Sequence, residues 1–175
     1  MLRVPIRKNR PIIRLLYTLS ITVFILGLVT SCKSVSNIYE SEAVVASSFR
    51  TDLIEDARSL IGSSYLYAGK GPKKFDCSGL VGYVYGLSNI KAVGSSKTLS
   101  EEGDEITLKE LQLGDLVFFK RKGKVFHVSI VSQLKGSEIW VIHSTSSRGV
   151  IEEDIMASNY WRPLVHKTVS LSSYR

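Results

Sequence analysis

The 175-residue sequence predicts an α+β fold, helices packed on an antiparallel β-sheet, and two observations carry that expectation. The first half of the chain holds two apolar runs at helical spacing, separated by a loop rich in Gly, Ser and Lys. The second half holds three strand-like runs joined by short turns, which reads as a meander and not as alternating βαβ units. An apolar fraction of 44% is ample for the core of such a domain.

The leader comes first. Met1 to Arg14 is basic, Leu15 to Val29 is an apolar run, and Thr30-Ser31-Cys32 closes it with small residues. The run is shorter than the roughly 20 residues that span a bilayer, so a secretory signal is expected over 1–31. Val29-Thr30-Ser31-Cys32 resembles a bacterial lipobox, and Cys32 is the expected lipidation site and mature N-terminus; an uncleaved anchor helix is the alternative. Several acyl chains would hold the protein stably at a bacterial membrane, with the outer membrane, periplasmic or surface side, the expected location. The formal charge of +7 lies mostly here: without Arg3, Arg7, Lys8, Arg10 and Arg14, 18 basic residues face 16 acidic ones. A remainder of about +2 gives no reason to expect a nucleic-acid partner.

Residues 32–50 are Ser-rich and read as a tether, leaving 51–175 as the folded domain, expected to act as a monomer. Thr51-Asp52 looks like a helix start, with Asp52 as N-cap and Glu55 at capping-box spacing. Leu53, Ile54, Ala57, Leu60 and Ile61 form its apolar face, and Gly62 ends it. Ser63 to Phe75 is a loop without the Gly-Lys-Ser/Thr ending of a phosphate-binding loop. A second helix begins near Cys77, with Leu80, Val81, Val84 and Leu87 as its apolar positions. Ser88 to Thr107 lacks a period and is expected to wrap the surface, followed by a helical turn at Leu108 to Leu111. Strands are expected over Leu116–Lys120, Val125–Gln133 and Glu138–His143. Arg121-Lys122-Gly123-Lys124 reads as a solvated hairpin turn, and a strand near Gly149-Val150-Ile151 and a turn near Ala157 to Trp161 close the domain.

The chemistry centres on Phe75-Asp76-Cys77-Ser78-Gly79. With Cys32 lipidated, Cys77 has no disulfide partner, and a lone thiol in an exported protein points to reactivity. At the first turn of a helix the dipole and the free N–H groups favour the thiolate, so a lowered thiol pKa is expected. Two of the three histidines, His127 and His143, fall on adjacent strands. A three-residue turn at Leu134-Lys135-Gly136 pairs Gln133 with Ser137 and sets His127 directly opposite His143, Cβ atoms about 5 Å apart on one face. Such a set can serve nucleophilic catalysis, with His127 as base and His143 orienting it. It can also supply three zinc ligands with an open fourth position, or consist of unrelated buried groups. The Asp-Cys-Ser helix start, and the lack of an acid at ligand spacing, favour the nucleophile over the metal. His166, Trp140, Tyr160 and Trp161 are expected to be structural.

These residues resemble a family. Ala57 to Gly62, Tyr65, Gly69, Phe75-Asp76-Cys77-Ser78-Gly79-Leu80-Val81, Leu113-Gly114-Asp115-Leu116-Val117-Phe118-Phe119, His127-Val128 and Ile142-His143 appear in the order seen in NlpC-type peptidases. The resemblance covers roughly residues 53–162 and implies a papain-like fold with no cofactor and no metal. It implies Cys77 as nucleophile, His127 as base and His143 as orienting group. Tyr65 would help bind the oxyanion, with the Cys77 N–H as the other donor; Asp76 and Ser78 would line the substrate site. An acid there can bind a free amino group of the substrate, or simply cap the helix. The implied activity is a peptidoglycan stem-peptide endopeptidase, commonly cutting the γ-D-glutamyl–diamino acid bond. The D-alanyl–diaminopimelate cross-link and non-catalytic wall binding are the alternatives. Ala68 and Lys70 replace a glycine-rich neighbourhood, Ser129 replaces a usual Gly, and Ser95 to Gly103 lacks the Arg and Gln common there. These departures bear on the substrate subsites, not on the nucleophile or base.

Overall fold

The computed structural model describes residues 45–174. Cys32 and the signal expected over 1–31 lie outside the described residues, as does most of the tether. Helix α1 occupies 45–59, so residues 45–50 belong to it and Asp52 lies in its interior, not at its N-cap. Asp52 and Glu55 are both exposed, and acids recur at this spacing on the solvent face of any amphipathic helix. Leu53, Ile54 and Ala57 are buried as expected, but Ile61 falls beyond the helix end and is exposed. Gly62 then turns the chain with φ +91°.

Helix α2 (Cys77–Leu87) opens where the motif placed it, with the Asp76 carboxylate accepting the Gly79 N–H at 2.6 Å. Leu80, Val81 and Val84 are buried. Leu87 is exposed, and Tyr85 takes the last core position, its hydroxyl donating to the Gly114 carbonyl at 2.6 Å. The stretch expected to be irregular contains helix α3 (Ser96–Glu102), whose cap Ser95 accepts the Thr98 N–H at 3.2 Å. Its only large apolar residue, Leu99, is buried, which is too little to show as a period.

A small parallel pair, β1 (Ser64–Tyr65) and β2 (Lys74–Phe75), brackets the loop before Cys77. The main sheet is antiparallel: β3 (Glu105–Ile106), β4 (Leu116–Arg121), β5 (Lys124–Lys135), β6 (Glu138–Thr145), β7 (Gly149–Asp154) and β8 (Val165–Val169). Its order is β3-β8-β4-β5-β6-β7. Strand β8, not anticipated, returns from the end of the chain to lie between β3 and β4. The β4–β5 turn is the one expected, with Lys122 and Gly123 both at positive φ.

The three helices cover one face. Leu53, Leu80, Val81 and Leu99 pack there with Phe118, Val128, Ile130 and Ile142. Val117, Phe119, Val131 and Val141 face the other way, against Ile155 and Trp161.

The β5–β6 register corrects the expected pairing. Lys135 pairs with Glu138, so the turn is Gly136-Ser137, one residue shorter than expected. That change alone would put the histidines on opposite faces. A bulge intervenes: Gln133 pairs with Trp140 but Val131 with Val141, leaving Ser132 as an extra residue on β5. The shorter, displaced turn moves the pairing by three residues, so that Gln133 meets Trp140 and not Ser137, and the bulge moves it back by one, which restores the parity. His127 and His143 share a face as diagonal neighbours, not as a directly opposed pair.

Candidate active site

A cavity of about 490 Å³ opens at the N-terminus of α2, and its wall includes Tyr65, Cys77, His127, Glu153 and Trp161. The loop before α2 is held tightly against the helix. The Gly69 carbonyl accepts the Asp76 N–H at 2.9 Å, and a Cβ on Gly79 would stand 1.9 Å from that same oxygen. Backbone cannot yield as a side chain can, so Gly79→Ala should destabilise the domain by about 1–3 kcal/mol despite alanine's better helix propensity. Thermal denaturation checks this; an unchanged melting temperature would contradict it.

The thiol differs from the expectation. Burial raises the Cys77 pKa, with the Asp76 charge adding to it, and this outweighs the N–H groups of Val128, Ser78 and Cys77 that favour the thiolate. The helix terminus does favour the thiolate, but the cost of desolvating a charge at this partly buried position is larger. Tyr65 is likewise raised, first by burial and then by the charges of Cys77 and Asp76.

His127 Nε2 lies 3.0 Å from His143 Nδ1. His143 Nε2 in turn lies 2.9 Å from Glu153 Oε1. The protons follow from the far end. An ionised carboxylate only accepts, so His143 carries its proton on Nε2 and presents the Nδ1 lone pair. His127 therefore donates from Nε2 and keeps a free lone pair on Nδ1. Glu153 is ionised, its pKa lowered to about 2 by the His143 hydrogen bond and then by Arg148. Burial holds His127 well below the ordinary imidazole value and, less strongly, lowers His143. At neutral pH Cys77 is therefore a neutral thiol and His127 a neutral imidazole, and both line the cavity.

Glu153 escaped the sequence reading, as did the part played by Trp161. The same Oε1 accepts Trp161 Nε1 at 2.9 Å and Arg148 Nη2 at 2.6 Å, and the Trp161 ring stacks on His127 with centroids 4.7 Å apart. Trp161 and Tyr160, expected to be structural, both line the cavity. Trp140 instead bonds Glu138, and His166 is exposed. A signal for Glu153 existed. The three-residue turn Ser146-Ser147-Arg148 pairs Thr145 with Gly149 and His143 with Ile151, which puts Glu153 on the face of His143.

Asp76 and Ser78 lie beside Cys77 but point to a different neighbour. Lys70 Nζ lies 3.3 Å from both Asp76 oxygens and 3.1 Å from Ser78 Oγ. Ser78 and Lys70 line a second, largely apolar groove of about 410 Å³ along α2, with Gly79, Gly82 and Tyr83. Among the described residues no group of three or more His, Cys, Asp or Glu is placed to hold a metal ion.

A cysteine heading a helix that packs on an antiparallel sheet, with a histidine pair on that sheet, defines the papain-like class of α+β folds. Residues 62–170 match the NlpC/P60 family, and the chain belongs to it. It is 32% identical over 139 residues to the gamma-DL-glutamyl hydrolase of Bacillus subtilis, covering 79% of this chain and 34% of that protein. It is 32% identical over 114 residues to a probable endopeptidase of Corynebacterium glutamicum, covering 65% of this chain and 51% of the other. An NlpC/P60 protein from Bacillus cereus superposes with a TM-score of 0.62 at 27% identity, over 69% of this chain and 39% of that one. The NlpC/P60 domain of the peptidoglycan hydrolase SagA gives 0.56 at 27% identity, over 68% and 96%. The chain thus spans only a third to a half of the two curated relatives named.

Proposed function

We propose that this protein is a cysteine endopeptidase of peptidoglycan stem peptides that hydrolyses the γ-D-glutamyl–diamino acid amide. The observation that carries this reading is the hydrogen-bonded series Glu153–His143–His127 beside the cavity that holds Cys77. The γ-glutamyl bond is supported by the gamma-DL-glutamyl hydrolase among the relatives. In this reading His127 Nδ1 takes the Cys77 proton as Sγ attacks the carbonyl carbon. The oxyanion is met by the Cys77 N–H and the Tyr65 hydroxyl. Collapse gives a thioester, His127 returns the proton to the departing amine, and water then hydrolyses the thioester with His127 again as base. His143 keeps the ring in place, and Asp76 and Ser78 line the approach, with Lys70 partly neutralising Asp76. The lipobox supports anchoring through Cys32, which would hold the enzyme at the bacterial envelope.

Digestion of defined muropeptides by the purified protein, followed by mass spectrometry, tests this. The expected products end in D-glutamate and begin with the diamino acid. Products cut only at the D-alanyl cross-link would overturn the bond assignment, and no products from any stem type would overturn the enzyme.

Glu153→Gln should cost about 100-fold or more in kcat, because the amide can donate to His143 and reverse both tautomers. The carboxylate also raises the pKa of both histidines, so its loss should move the acid limb of kcat/KM to lower pH. An unmoved limb would reduce Glu153 to a packing role.

A further inference from the structure

The charges around the catalytic cavity leave one cation unspent. Arg148 is paired with Glu153 at 2.6 Å, and Glu153 is already committed to His143 and Trp161. Arg121, at the β4–β5 turn, also lines the cavity, and no carboxylate pairs with it among the described residues. Its guanidinium is nonetheless held. Nη1 donates to the Tyr160 hydroxyl at 3.1 Å, and Cζ stands 4.7 Å from the centre of the Phe126 ring. Both partners are neutral and both line the cavity.

That arrangement needs a reason. Fixing an exposed arginine costs side-chain entropy, and neither a phenol nor a phenyl ring neutralises its charge. A guanidinium has five N–H donors in a planar fork, and only one is taken up by Tyr160. The wall is continuous toward the base: Phe126 stacks with Trp161 at 6.3 Å, and Trp161 stacks with His127 at 4.7 Å. A fixed, unneutralised fork at one end of an aromatic wall that reaches the base matches a planar anion beside the reacting amide.

We propose that Arg121 is a carboxylate-binding residue of the cavity, receiving a free carboxylate of an anionic peptide next to the amide presented to Cys77. The proposal rests on the hydrolase reading above and names its substrate class. A glutamyl residue linked through its γ-carboxyl leaves its α-carboxylate free beside the bond, and a diamino acid on the leaving side carries another. The shared chemistry is a carboxylate within one residue of the scissile amide.

Two pairs of synthetic stem peptides separate the sources. In one pair the glutamyl α-carboxylate is free or converted to the carboxamide; in the other the diamino acid's carboxylate is. In one of the two arms the purified protein should prefer the acid by roughly 10- to 100-fold in kcat/KM, the range of a charge-assisted fork. Arg121→Gln should bring acid and amide to near parity in that arm, mainly through KM. No preference in either arm, or a preference that survives Arg121→Gln, would overturn the proposal. Binding of the same peptides to the Cys77→Ala chain, with and without Arg121→Gln, is measured beside turnover. Acid-selective binding that depends on Arg121, without turnover by the native chain, would sink the hydrolase reading and keep this one. Equal binding of acid and amide would sink this one whatever the turnover.

Discussion

Replacing Cys77 with alanine is expected to abolish stem-peptide hydrolysis, a loss of roughly a thousandfold or more in kcat, measured as release of new amines. No other group in the cavity can form the thioester, and the remaining oxyanion donors and binding contacts act on a weaker nucleophile, water. The substitution leaves the fold intact, because the α2 cap is made by Asp76 and Gly79 and the helix interior by Leu80, Val81 and Val84. A variant that kept native turnover would remove Cys77 from the mechanism. The pH profile of the native protein follows from the same site. The reactive state holds one proton shared by thiol and imidazole. It is lost when His127 gains a second proton, below the ordinary histidine range, or when Cys77 gives its proton to solvent, above the ordinary thiol range. A broad plateau of kcat/KM across neutral pH is therefore expected.

The second large effect concerns stability. Asp115→Ala should destabilise the domain by about 3–5 kcal/mol, because it breaks a buried ion pair and leaves a partner charge uncompensated. Asp115 is 1% exposed and lies 2.8 Å from Arg50 of α1. Its carboxylate also accepts the N–H groups of Gln112 at 2.8 Å and Leu171 at 2.9 Å. One side chain thus ties the first helix, the entry to β4 and the end of the chain. At roughly 2–4 °C per kcal/mol for a chain of this size, the melting temperature should fall by about 10 °C. Urea unfolding checks the value, and a loss below about 1 kcal/mol would show that the site relaxes around the missing carboxylate.

Much of this was legible in the chain itself. The α2 start, strands β4 to β7 and the β4–β5 turn all rest on neighbours within a few residues, where capping, alternation and turn chemistry act. Elements whose stability is non-local were not legible. Strand β8 forms because β4 and β3 supply its hydrogen-bond partners, about fifty and sixty residues away in sequence. Helix α3 offers one buried side chain to the core and has no period to detect.

The histidine pair shows where local reasoning stops. The sequence placed both rings on one face through a turn one residue too long, and the Ser132 bulge supplied the compensating residue. Only the tertiary structure decided the ring-to-ring bond, because a bulge is set by the packing of both faces and not by the turn alone. The same holds for Cys77. Its position at a helix start is written in Asp76-Cys77-Ser78-Gly79, whereas its protonation depends on how completely the assembled site excludes water. Sequence by itself determined which residues could react; burial in the assembled site, with Glu153 at the end of the histidine series, decided which protons they hold. The reason is physical: covalent neighbours set the local dipoles and caps, but desolvation belongs to the whole fold.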